Sequence, residues 1–203
     1  MGREVRDSKA QRFLAGLRGR PVIPAVRGPE DLLTLALSGD HAAVFVLGGD
    51  VFRTLELLAA RRRRPMVCVN VDTVGGIAAD QSGVRFLSGR VEGIISTHRH
   101  VVELARGAGL ITIQRLFAID SGAVDRGLKL IRRASPDCVE ILPGLAYPEI
   151  AVQYRRALDL PALAGGLVRD KRTVRAILAA GATAVSTSDP SLWGVLDSDP
   201  HTR

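Results

Sequence analysis

Leu160 to Trp193 reads LPALAGGLVRDKRTVRAILAAGATAVSTSDPSLW, and the fold is decided by how this stretch is parsed. It carries a short apolar run, the pair Gly165-Gly166, a helical pattern, a second apolar run, and the hydroxyl cluster Ser186-Thr187-Ser188. Read as strand, helix and strand, it is a βαβ unit whose parallel strands end on one edge of a sheet. Glycine lets backbone N–H groups approach a ligand closely, and Ser and Thr hydroxyls add donors. A short helix from Pro190 can aim its N-terminus at the same spot, completing a phosphate cradle that needs no lysine. In (β/α)₈ barrels the loops after strands seven and eight commonly form such a site. The plain alternative is two ordinary loops punctuated by glycine.

The same alternation runs outward through the chain. Strands are expected at Val22–Val26, Ala43–Leu47, Met66–Asp72, Gly93–Thr97, Ile111–Phe117, Cys138–Leu142, Ala162–Ala164 and Ala184–Ser186. Helical patterns are expected at Glu30–Leu37, Val51–Arg62, Asp80–Leu87, Arg99–Arg106, Ser121–Ala134, Pro148–Ala157, Asp170–Ala179 and Pro190–Leu196, with an N-terminal helix over Ser8–Arg18. Eight βα units without a composition break predict a single compact (β/α)₈ TIM-barrel-like domain over residues 1–203, the barrel itself at about 21–196. An open doubly wound sheet is the runner-up, but no dinucleotide fingerprint follows the first strand.

Glycines divide into two sets. Gly19, Gly39, Gly89, Gly109 and Gly181 fall between a helix and the next strand, where a left-handed C-cap is expected. Gly48-Gly49, Gly75-Gly76, Gly144 and Gly165-Gly166 follow strands, on the side where barrels keep their sites.

At 203 residues and 46% apolar, the chain can bury a substantial core. It has no apolar run long enough for a membrane span and no secretory leader pattern, so a cytoplasmic location with no membrane partner is expected. Cys68 and Cys138 lie within apolar strand patterns and read as buried free thiols. The net charge of +7, carried mostly by arginine, permits an anionic partner without identifying one.

Period-two alternation ranks the polar strand-end residues. In MVCVNVD, Asn70 and Asp72 share a face with Cys68, and the valine face opposite meets the helices, so both point into the barrel mouth. In CVEILPG, Glu140 does the same. Two mouth carboxylates can orient the hydroxyls of a polyol, act as acid and base, hold a metal, or close ion pairs with arginines. Gln114 and Arg115 bring one further polar group to the mouth, and Arg115 would supply a bidentate clamp. Arg27 and His98 are further candidates. No nucleophile–base pair, strand-end lysine or Cys/His metal spacing stands out, so no cofactor or metal is expected. The run Arg61–Arg64 (Arg61, Arg62, Arg63, Arg64) reads either as a solvated helix C-terminus or as an electrostatic contact to a nucleic-acid backbone. Aromatic interleaving is sparse, with one Trp and two Tyr, and no base-stacking pattern is visible.

The ordered blocks PVIPAV, DLLTLALSG, VFVLGGD, VDTVGGIAAD, GIISTH, TIQRLFAIDS, PDCVEILPG, PALAGGL and AVSTSDPSLW resemble the glycerol uptake operon antiterminator family, the glycerol-3-phosphate responsive antiterminators. The resemblance runs from about Phe13 to Trp193. It implies a (β/α)₈-like fold, glycerol 3-phosphate as a small phosphorylated effector, leader mRNA as partner, and regulation of glycerol utilisation genes rather than catalysis. By position, Gly165, Gly166, Ser186, Thr187 and Ser188 match the family's phosphate-site blocks. Asp72, Glu140 and Arg115 match its strand-end polar positions. Asn70 and His98 depart from the family pattern, which has a histidine and a basic residue there. A barrel enzyme acting on a small phosphorylated polyol, and a sensor signalling through a protein partner, are the alternatives. Homo-oligomerisation is left open.

Overall fold

Period-two apolar runs alternating with amphipathic helices close, in a computed structural model that describes residues 2–28 and 30–194, into a parallel barrel. Its strands are β1 (Val22–Val26), β2 (Ala43–Val46), β3 (Met66–Asn70), β4 (Gly93–Ser96), β5 (Ile111–Phe117), β6 (Cys138–Leu142), β7 (Ala162–Gly165) and β8 (Ala184–Thr187). They follow one another in order around the sheet, and β8 closes on β1 with Val22 opposite Val185 and Ile23 opposite Ser186. The helices are α1 (Gly2–Gly19), α2 (Glu30–Ser38), α3 (Val51–Ala59), α4 (Gln81–Leu87), α5 (Arg99–Gly107), α6 (Ser121–Ala134), α7 (Tyr147–Ala157) and α8 (Lys171–Ala179). The TIM-barrel-like fold is as the sequence pattern predicts.

Alternation along each strand makes two cores. Ile23, Ala25, Phe45, Cys68, Ile95, Ile111, Ile113, Cys138, Leu163 and Ala184 fill the interior. Phe13 and Leu17 of α1 join that cluster, so the N-terminal helix plugs the floor of the barrel. The opposite faces, including Val67, Val69 and Val71 of the β3 region, pack outward against residues of the helices such as Leu58, Val84 and Leu87. Val139 and Ile141 of β6 pack likewise with Leu128, Ile131 and Tyr154.

Aspartates start several helices at the mouth end. Asp50, Asp80, Asp120 and Asp170 accept the backbone N–H three residues on, from Arg53, Gly83, Ala123 and Thr173.

Some boundaries differ from the sequence reading. The second barrel helix stops at Ala59 rather than Arg62, which leaves Arg61–Arg64 in the loop before β3. Among the described residues beyond β8, a three-residue 3₁₀ turn, Pro190–Leu192, stands in place of the expected helix, and the rest of that helix, residues 195–196, lies outside the described residues. Asp189 accepts from both the N–H and hydroxyl of Ser191. The turn therefore spends that amide on its own cap instead of offering it to a ligand. Among the C-cap glycines, Gly89, Gly109 and Gly181 adopt positive φ, whereas Gly19 and Gly39 do not.

Candidate functional site

The mouth gathers side chains from β5, β6 and β8 around Gly165, the last residue of β7. Arg115 and Glu140 are register partners on adjacent strands, and Arg115 Nε donates to Glu140 Oε2 at 2.7 Å. The other carboxylate oxygen accepts from Ser186 Oγ at 2.6 Å. All three side chains are buried. Gly165 makes this approach possible, because a Cβ there would lie 1.9 Å from Ser186 Oγ and 3.0 Å from Glu140 Oε1. An alanine would displace the serine from the carboxylate.

A cavity of about 70 Å³ opens above this network. A single water needs only ~10–15 Å³ of such space, so there is room for a small polar ligand. Its lining includes Arg27, Arg115, Glu140, Gly166, Leu167 and Ser186–Ser188, with the apolar side chains of Ala25, Leu47, Leu142 and Val168. Gly166 (φ +79°) and Leu167 (φ +60°) both take left-handed backbone, which folds the β7–α8 loop over the cavity rim.

Hydrogen bonding sorts the polar groups of the lining. Ser186 donates to Glu140, and Thr187 donates to Val168 O at 3.2 Å while accepting from Asp189 N at 3.2 Å. Ser188 is exposed and makes no hydrogen bond to another described side chain or backbone group. Arg115 Nη2 is buried with no acceptor. An unpaired guanidinium N–H buried beside a cavity is costly unless an acceptor fills it. Arg27 stands exposed at the rim and adds a second positive charge. The lining thus combines a buried guanidinium with one nitrogen lacking an acceptor, a rim guanidinium, an exposed hydroxyl and a glycine with left-handed backbone.

Seven of the eight predicted mouth residues meet in this region: Gly166, Ser186, Thr187, Ser188, Arg115 and Glu140 in the lining, and Gly165 beneath it. Asp72 does not join them. β3 ends at Asn70, and the Asp72 carboxylate turns toward β4, accepting Ser96 Oγ at 2.6 Å, Thr97 N at 2.7 Å and Thr97 Oγ1 at 2.9 Å. Its lone pairs fasten the β4 loop rather than face the cavity. Of Gln114 and Arg115, it is Arg115 that faces inward, on the same side of β5 as Ile111 and Ile113. His98 lies at the start of α5, exposed and outside the lining. Leu167 escaped the sequence reading, since nothing in its side chain signals the left-handed backbone that puts it on the rim. Among the described residues no group of three or more His, Cys, Asp or Glu is arranged to hold a metal ion, and no helix is long and apolar enough to cross a membrane.

The family model described as glycerol-3-phosphate responsive antiterminator matches residues 22–193. The uncharacterised protein YgcP of Escherichia coli K12 is 31% identical over 180 residues, covering 87% of this chain and 93% of YgcP. The crystal structure of the glycerol uptake operon antiterminator regulatory protein from Listeria monocytogenes superposes with a TM-score of 0.77 at 32% identity, covering 86% of this chain and 95% of that one. A glycerol uptake operon antiterminator-related protein from Thermotoga maritima gives a TM-score of 0.73 at 29% identity, covering 86% and 98%.

Proposed function

Since the chain belongs to the glycerol-3-phosphate responsive antiterminator family, we propose that it is an effector-controlled transcription antiterminator that binds leader mRNA and regulates glycerol utilisation genes. The effector is glycerol 3-phosphate, held in the cavity at the ends of β5 to β8. The observation that carries this reading is the buried Arg115, which lines the cavity with Gly166 and Ser188 and whose Nη2 has no acceptor. The phosphate takes Arg115, Arg27, the Ser188 hydroxyl and the glycine-opened backbone. The glycerol hydroxyls donate to Glu140, whose oxygens keep lone pairs beyond their bonds to Arg115 and Ser186. Asp72 supports the mouth from the β4 side without touching the ligand.

The role is regulatory rather than catalytic. The lining has no lysine, histidine or cysteine, and its carboxylate, Glu140, is tied on both oxygens. Control requires that the effector bind one conformational state better than another, because equal affinity shifts nothing. Calorimetric titration with glycerol 3-phosphate, glycerol and inorganic phosphate tests the effector site. Saturable binding of the phosphorylated polyol that is lost in Arg115→Met and in Gly166→Trp supports it. Binding that survives both substitutions places the effector elsewhere.

A further inference from the structure

The arginines of this chain fall into those the fold uses and those it leaves free. Arg106 Nη1 donates to Ala134 O at 2.9 Å and Ser135 O at 3.1 Å, joining the end of α5 to the end of α6. Arg132 Nη2 reaches Ala157 O at 2.6 Å, and Arg155 Nη1 reaches Ala180 O at 2.6 Å, repeating the device from α6 to α7 and from α7 to α8. Each strap sets a cation against the negative end of a neighbouring helix dipole. Arg61 holds Leu57 O at 2.9 Å, and Arg64 binds Glu92 at 2.7 and 3.2 Å. These five arginines are therefore structural.

At the floor of the barrel the situation changes. Lys9 and Arg12 of α1 and the loop Arg61–Arg64 line one hollow, with Leu58, Pro65, Met66 and Glu92. Arg12, Arg62 and Arg63 are exposed there, and no hydrogen bond or ion pair to another described residue engages them. Glu92, the acid in this lining, is already taken by Arg64 and by Val67 N at 2.7 Å. None of the exposed large apolar side chains among the described residues lines the hollow, and neither does any aromatic ring. A surface rich in unpaired guanidinium, with no aromatic ring and with its apolar lining confined to Leu58, Ala59, Pro65 and Met66, suits a phosphate backbone rather than splayed bases. Duplex RNA, read by shape and backbone, is the form that fits.

We propose that this floor is the RNA-docking surface, where Arg12, Arg62 and Arg63 contact the phosphates of a base-paired leader stem. Arg61 and Arg64 hold the loop that presents two of them. The proposal rests on the antiterminator reading above and adds the surface. It sets RNA and effector at opposite ends of the barrel, so the effector never touches the RNA. One contiguous interior cluster joins Ala25 and Leu47, in the effector cavity, to Phe13 and Leu17 of α1, the helix that carries Arg12.

The test is fluorescence anisotropy with a labelled hairpin transcript of the leader that precedes the source organism's glycerol utilisation genes, at saturating glycerol 3-phosphate. Three proteins are compared: wild type, R12A/R62A/R63A, and the charge-matched control K129A/R133A/R156A on the outer helices. The floor variant is expected to lose at least about tenfold in affinity, with the slope of log affinity against log salt falling by about two. Its calorimetric binding of glycerol 3-phosphate stays at the wild-type level, and the control binds RNA like wild type. Equal binding by the floor variant and wild type overturns the surface while leaving the antiterminator reading intact. Equal losses in both variants also overturn it, because they reflect total charge alone. A wild-type protein that binds no transcript with effector present sinks the antiterminator reading, and the surface with it.

Discussion

Arg115 and Glu140 stand in register on neighbouring strands and close a 2.7 Å ion pair whose side chains are 4% and 1% exposed. Two charges this deeply buried are tolerated because each pairs with the other, with Ser186 donating to the second carboxylate oxygen. The pairing leaves one guanidinium nitrogen, Nη2, without an acceptor. The pair thus holds the mouth together while leaving one of its buried donors unsatisfied.

Breaking the pair from one side strands the other charge. Glu140→Gln and Arg115→Met are each expected to destabilise the fold by about 3–5 kcal/mol. The double variant should cost clearly less than the sum of the two, because neither charge is then left alone. Urea unfolding of the four proteins measures this. Additive losses would mean that the two groups do not support each other.

The two adjacent glycines should fail for different reasons. In Gly165→Ala the new methyl meets Ser186 Oγ at 1.9 Å, so the serine must leave Glu140, at a cost of about 1–3 kcal/mol from overpacking and a lost buried bond. At Gly166 a methyl meets nothing closer than Leu142 Cδ2 at 3.5 Å, and the penalty is the positive φ, about 1 kcal/mol. Thermal unfolding should therefore rank Gly165→Ala below Gly166→Ala. The reverse order would show that backbone strain outweighs the crowded contact.

Much of the barrel was legible because a parallel strand buried on both faces still alternates between two different environments. MVCVNVD and CVEILPG each separate valine or isoleucine from Cys, Asn and Glu at spacing two, and the structure sorts them to helices and interior accordingly. Asp72 defeated that rule because the strand stops two residues earlier, at Asn70, and beyond its end a turn sets the direction. The Pro190 turn was misread for a related reason. Asp189 can cap a single turn as well as a helix, and the sequence DPSLW does not tell the two apart. The arginine straps could not be read at all, since each acceptor is a backbone carbonyl on a different helix.

Both thiols are fully buried, and burial holds Cys68 and Cys138 well above the usual thiol range. The unfolded chain ionises them near pH ~8.5, whereas the folded chain keeps them protonated to higher pH. The unfolded state therefore binds fewer protons above that point, and stability is complete below it and declines as pH rises. Tyr147 and Tyr154, also raised by burial, add to the decline at higher pH still. Unfolding free energies measured from pH 7 to 10 should fall, and a Cys68→Ala/Cys138→Ala protein should fall less between pH 8 and 9.5. Rapid labelling of the native thiols at pH 8 would contradict their burial.

The arginine straps separate structural charge from functional charge. Arg132 and Arg155 are exposed, yet each donates at 2.6 Å to a carbonyl at the C-terminal end of the next helix. Replacing either with methionine keeps much of the aliphatic contact and removes the charge and the donor. The expected loss is modest, about 0.5–1 kcal/mol each, and shrinks as added salt screens the helix dipole. The end of α7 in the Arg132 variant and the end of α8 in the Arg155 variant should then exchange their amide hydrogens faster, which hydrogen exchange resolves helix by helix. Affinity for the leader hairpin should stay within about twofold of wild type, since these cations are occupied and lie on the outer helices. A strap variant that is fully stable but deficient in RNA binding would move the docking surface from the barrel floor to the helical wall.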